Sequence, residues 1–142
     1  MYAMLTPQLV LLILLSFQSQ FIFAEEYAVI VHPDNTSEFD QGTIERLFLA
    51  KQKTFPSGEQ AVPIEIKRPS KERETFNKKV IGKSDIQIRT YWAMLIFSGK
   101  GKPPKQVDTQ EQVIELVSHN RNMVGYVASD HINNEVRVIF TY

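Results

Sequence analysis

Arg68, Ser70, Lys71 and Arg73 stand together in the stretch Arg68-Pro69-Ser70-Lys71-Glu72-Arg73-Glu74-Thr75. Residues of these types can jointly hold a small anion. A guanidinium supplies forked donors, and hydroxyl and ammonium groups supply single ones. The flanking pattern predicts how they are positioned. Val62, Ile64 and Ile66 alternate with Pro63, Glu65 and Lys67, which reads as a pleated strand with one buried face. Arg68 and Pro69 end that strand. Ser70 then caps a helix whose apolar stripe includes Phe76 and Val80. A strand feeding a helix N-terminus leaves backbone N–H groups pointing outward, with the helix dipole behind them. The structural alternative is a helix cap followed by solvated charges, with Arg73 paired to Glu72, Glu74 or a nearby acid. Glu72 and Glu74 would repel an anion at this point.

No other constellation carries chemistry as directly. His32, His119 and His131 fit no short metal motif, and cysteine is absent, so no metal site, thiol nucleophile, disulfide framework or cofactor is expected. There is no Gly-x-Ser-x-Gly elbow or Ser-His-Asp signature, so hydrolytic and redox catalysis are not expected. Glu25 with Glu26, and Asp34 with Glu38, read as ordinary loop acids. Lys100, Lys102 and Lys105 lie in Gly-Lys-Gly-Lys-Pro-Pro-Lys, but a nucleotide loop would need glycine where Ile96 stands. That loop reads as solvated, and suited to an acidic partner or lipid headgroups. Tyr91, Trp92 and Phe97 could form a binding platform, but their helical spacing favours a place in the core.

The chain has 142 residues, with 16 basic and 16 acidic side chains and a formal net charge of zero. A global basic field for nucleic acid is therefore absent. Residues 1–24 are uncharged, with the apolar run Leu9 to Leu15 followed by a polar interval. They read as a secretory signal peptide cleaved after Ala24, with an uncleaved anchor as the alternative. A spanning helix needs about 20 apolar residues, and polar interruptions break this run. Residues 25–142 are the size of one domain, and an exported chain without disulfides suits the periplasm.

Along that domain, Tyr27 to Val31 reads as a central strand. A helix opened by Asp40 or Thr43 carries Ile44, Leu47 and Phe48 on one face. The strand and helix described above follow, ending at Gly82. Ser84 opens a helix with Ile88, Tyr91, Trp92, Leu95 and Ile96 at helical spacing, closed by Gly99. A basic, Pro-rich loop leads to a helix capped by Thr109 with Gln112, carrying Val113, Leu116 and Val117. Met123 to Val127 and Val136 to Phe140 read as the last strands. The order β-α-β-α-α-α-β-β predicts an α/β sandwich with a mixed, mostly parallel sheet and no second domain.

In this order the segments resemble the phosphate-binding proteins of bacterial phosphate ABC transporters, of the type 2 periplasmic-binding-protein fold. AVIVHPDN is similar to the family's first strand and turn. TIERLFLAKQKTFPSGE is similar to its Leu-x-x-Ile-Phe segment, with Phe48 and Phe55 at aromatic positions. VPIEIKRPS is similar to the strand leading to its anion loop, and MVGYV to its Ile-Gly-Tyr-Val strand. The resemblance implies one lobe of a solute-binding protein, taking a small oxyanion such as phosphate, with a membrane transporter or partner protein. It implies Arg68, Ser70, Lys71, Glu72, Arg73 and Thr75 as the ligand positions. In the family's loop, Gly-Ser-Gly-Thr follows the Arg-Ser-x that ends the strand. Here larger charged residues replace it, and the chain is about half the length of a two-lobed protein. A non-catalytic interaction module that uses the half-size fold as a scaffold, its missing lobe supplied by a partner chain or second copy, is the alternative.

Overall fold

The structure, a computed structural model, describes residues 23–142; the expected leader lies outside the described residues except for its last two positions. Five strands form one sheet: β1 (Tyr27–Val31), β2 (Val62–Ile66), β3 (Lys105–Val107), β4 (Met123–Ala128) and β5 (Arg137–Thr141), in the order β3-β2-β4-β1-β5. β2 runs parallel to β3 and β4, while β1 runs antiparallel to both β4 and β5. Four strands thus point one way and β1 opposes them, giving the expected mixed, mostly parallel α/β sheet. β1 is buried at every position, as its unbroken apolar run predicted.

β3 lies within the stretch expected to be a Pro-rich loop. It is a three-residue edge strand pairing Lys105 with Ile64 and Val107 with Ile66. Only Val107 of the three is buried, so the segment has no alternating pattern to announce it.

Helices cover both faces of the sheet. α4 (Gln110–His119) lies on one face and brings Val113 and Val117 over Gly125 of β4. α1 (Gln41–Phe48), α2 (Lys71–Phe76, continued by a π-turn over Asn77–Ile81) and α3 (Asp85–Phe97) lie on the other. On that side the Phe76 ring stacks on Tyr126 at 4.3 Å, and Phe48 leans on Phe76 at 4.6 Å. This two-sided cover corrects the single buried face expected of β2: Ile64, Glu65 and Ile66 are all buried.

Polar side chains set the helix starts. Asp40 Oδ1 accepts the Thr43 amide at 2.7 Å, and Ser70, Ser84 and Thr109 cap the next three helices, the last two with reciprocal Gln87 and Gln112 boxes. Gly82 ends the α2 segment at φ +72°, a conformation that costs glycine little. α3 buries Ile88 and Trp92, with Tyr91 and Leu95 half-buried, so Tyr91 and Trp92 belong to the packing. Ile96 and Phe97, expected on the inner side, are instead exposed in the last turn.

Candidate functional site

At the C-terminal end of β2 the chain turns through Arg68 and Pro69 into Ser70. The Ser70 Oγ accepts the Arg73 amide at 3.1 Å and donates to Glu72 Oε2 at 2.8 Å. Glu72 Oε1 accepts a hydrogen bond from Gln110 Nε2 of α4 at 3.2 Å. The amides of Lys71 and Glu72 belong to the first turn of α2 and have no helical carbonyl to bond. Arg68 donates from Nε to Asp85 Oδ1 at 2.5 Å, and Asp85 also takes Arg89 Nε at 2.9 Å. Lys71 Nζ reaches Glu25 Oε2 at 2.8 Å.

Arg68, Ser70, Lys71 and Glu72 are thereby gathered at one corner, with Asp85 and Glu25 as counter-charges. Arg73 and Thr75 are placed elsewhere. The Arg73 guanidinium is buried, with Nη2 2.8 Å from Glu65 Oε1 and Nη1 donating to the Ile66 carbonyl at 3.2 Å. Gln106 Nε2 also donates to Glu65 Oε1 at 3.2 Å. Thr75 is half-buried and lies beside the Tyr27 hydroxyl. Arg73 does have an acid partner, as the structural alternative foresaw, but it is Glu65 rather than Glu72 or Glu74.

Sequence reasoning missed Asp85, Glu25 and Gln110 as neighbours of the corner. Asp85 is 17 residues beyond Arg68 and Gln110 is 38 beyond Glu72, so no local spacing announces either pair.

Burial pushes the Asp85 carboxyl up, but the hydrogen bond and charge of Arg68, with Arg89, outweigh it and hold Asp85 below the usual carboxylate range. A depressed folded value stabilises the protein above the ordinary aspartate pKa, and that stability is lost as pH falls through the folded value. Asp85→Asn should therefore flatten the acid limb of Tm against pH. An unchanged acid limb would show that the Arg68–Asp85 contact contributes nothing. The Lys71 hydrogen bond and then that of Tyr27 likewise lower Glu25.

Beneath the corner, Glu65, Phe76, Asn77 and Trp92 line a void of about 10 Å³, room for one water at most. A larger groove of about 570 Å³ lies away from Arg68. Phe48, Val62 and Trp92 line it with Lys53, Lys100 and Lys102. No group of three or more His, Asp or Glu among the described residues is placed to hold a metal ion. None of their helices is long and apolar enough to cross a membrane.

No protein-family model matches the sequence, and no curated protein matches it. Solved structures do resemble the fold. An ABC-type phosphate transport receptor from Vibrio cholerae aligns at TM-score 0.61 and 13% identity, over 81% of this chain and 45% of that one. A protein from Clostridium perfringens described as a phosphate ABC transporter substrate-binding protein, solved with bound phosphate, aligns at TM-score 0.64 and 16% identity, over 81% and 44%. PstS from Borrelia burgdorferi aligns at TM-score 0.58 and 12% identity, over 81% and 47%. The chain spans less than half the length of these proteins. At such identities the likeness is one of architecture, and this chain has the fold of a single lobe of periplasmic-binding-protein type.

Proposed function

We propose that the chain is an exported, periplasmic solute-binding lobe that takes a small oxyanion, phosphate first, at the β2–α2 corner, reversibly and without chemistry. The observation that carries this reading is the convergence of the Ser70 hydroxyl, the first-turn amides of Lys71 and Glu72, and the Arg68 and Lys71 cations at one strand-to-helix junction. Arg73 holds the strand behind that junction rather than touching the ligand, and Thr75 lies one turn inward. A membrane transporter is the corresponding partner, by analogy with the phosphate transport receptor and the ABC transporter substrate-binding protein that share the fold.

Binding at this corner is weak, for a visible reason. Arg68 and Lys71 each already face a carboxylate, and Glu72 occupies the Ser70 hydroxyl. An anion must displace Glu72 from Ser70 and share the two cations with Asp85 and Glu25. Calorimetric titration with phosphate and with sulfate tests the reading, expecting a millimolar dissociation constant. The absence of both heat and thermal protection at millimolar anion would sink it, because a ligand selective for the native state must stabilise it. Glu72→Gln removes the repelling charge and keeps a side chain of the same shape. It should tighten phosphate binding about tenfold, the size of a nearby charge at an exposed site. An unchanged affinity would place the anion elsewhere.

A further inference from the structure

Helix α3 is apolar on its outer side as well as its inner one. Ile88 and Trp92 point inward, yet Ile86, Met94, Ile96 and Phe97 are 76%, 66%, 56% and 95% exposed. Ile86, Thr90, Ala93 and Phe97 follow one another at helical intervals of four, three and four, which places them in one line along the outer face. Thr90 donates its hydroxyl to the Ile86 carbonyl at 3.0 Å, so its hydrogen-bonding need is met within the helix. An apolar line of this length on a small domain marks a surface that something covers.

Charge identifies the kind of cover. From Ile86 to Val107 the sequence has no Asp or Glu, but it has Arg89, Lys100, Lys102 and Lys105, in a chain whose acids and bases balance overall. Asp85, at the start of the helix, is held by Arg68 and Arg89. We propose that the outer face of α3 lies on an anionic phospholipid surface, with Ile86, Met94 and Phe97 entering the headgroup boundary and Arg89, Lys100 and Lys102 meeting lipid phosphates. A second copy docked on the same face would bring these cations toward their own kind. An anionic bilayer supplies the opposite sign, and it accepts a convex helix without a shape-matched groove. This placement stands apart from the anion corner and does not rest on it.

The absence of native cysteine makes a single label unambiguous. Ala93→Cys in the full chain, carrying an environment-sensitive nitrobenzoxadiazole dye, reports on α3 itself whatever residues 1–22 do. With phosphatidylcholine vesicles containing phosphatidylglycerol, emission should rise several-fold and shift to the blue. High salt, Lys100→Glu with Lys102→Glu, or Phe97→Ser should each abolish the change. Phe97 is almost fully exposed, so Phe97→Ser leaves the core intact, and circular dichroism confirms folding of each variant. No change with anionic vesicles overturns the proposal, and so does an equal change with phosphatidylcholine alone. A label already shielded without vesicles also overturns it: shielding that grows with protein concentration identifies a second copy, and shielding independent of concentration identifies a segment of the same chain.

Discussion

Replacing Arg73 with alanine is expected to lower the unfolding free energy by about 3–5 kcal/mol, the usual cost of leaving one partner of a buried ion pair uncompensated. The arrangement supports that size of effect. Arg73 and Glu65 are both almost fully buried and 2.8 Å apart, and Arg73 also ties the Ile66 carbonyl at the end of β2. For a domain whose whole stability is of the order of 5–15 kcal/mol, such a loss is a large share. Burial already pushes the Glu65 carboxyl up against the opposing pull of Arg73, and removing Arg73 pushes it further. A raised folded value means that stability is fullest below the ordinary glutamate pKa and declines as pH rises through the folded one. The deficit of the variant should therefore be small in acid, where Glu65 binds a proton, and grow toward neutral pH. Arg73→Met combined with Glu65→Leu should recover most of the loss, because a buried pair and an apolar pair of similar volume are close in energy. Denaturant unfolding of the two variants across pH checks this. It also separates two roles: a ligand-binding arginine would lose phosphate affinity while Tm barely moved.

That ion pair shows where reading the chain residue by residue stops. Ser70, Thr109 with Gln112, and Gly82 each act within a few residues of themselves, so cap and stop were legible. The strand pattern of β2 was legible as well, but the fate of Glu65 was not. Period-two alternation places Glu65 opposite Ile64 and Ile66, and whether that second side meets water depends on α1, α2 and α3 arriving from elsewhere in the sequence. They do arrive, so a residue that alternation assigns to solvent becomes the buried counter-charge of Arg73. The candidate anion site inherits this. Arg68 and Arg73 differ little as letters in a charged stretch, yet a helical turn sends one to the surface beside Asp85 and the other inward. Phe97 illustrates the opposite failure. Grouped with the aromatics Tyr91 and Trp92 it suggests core, but its phase along α3 sets it with Ile86, Thr90 and Ala93 on the outer face, in solvent. Which side of a helix finds a neighbour is a property of the assembled layers.

Gly125→Ala is the second substitution with a large expected effect, costing roughly 1–3 kcal/mol as an overpacked contact. The reason is the closeness of α4 to β4. A Cβ at position 125 would stand 2.5 Å from Val113 Cγ1, with Val117 Cγ2 at 3.7 Å and the Ile64 Cβ at 3.8 Å. A gap of 2.5 Å is not tolerated by rotating one side chain, since Val113 is β-branched and fully buried on a helix. The helix must move away from the sheet. Val113→Ala removes the atom in conflict, so Gly125→Ala and Val113→Ala should be less destabilising together than the sum of the two alone, with a favourable coupling of about 0.5–3 kcal/mol. Strict additivity would mean that α4 yields without strain and that glycine is not needed there. The displacement also has a consequence for the anion corner. Gln110, in the first turn of α4, accepts the Ala128 amide and donates to Glu72. Lifting α4 loosens the grip that holds Glu72 over Ser70, so the destabilised Gly125→Ala protein should bind phosphate no more weakly than the parent per folded molecule. A loss of affinity parallel to the loss of stability would instead make the seating of α4 part of the ligand site.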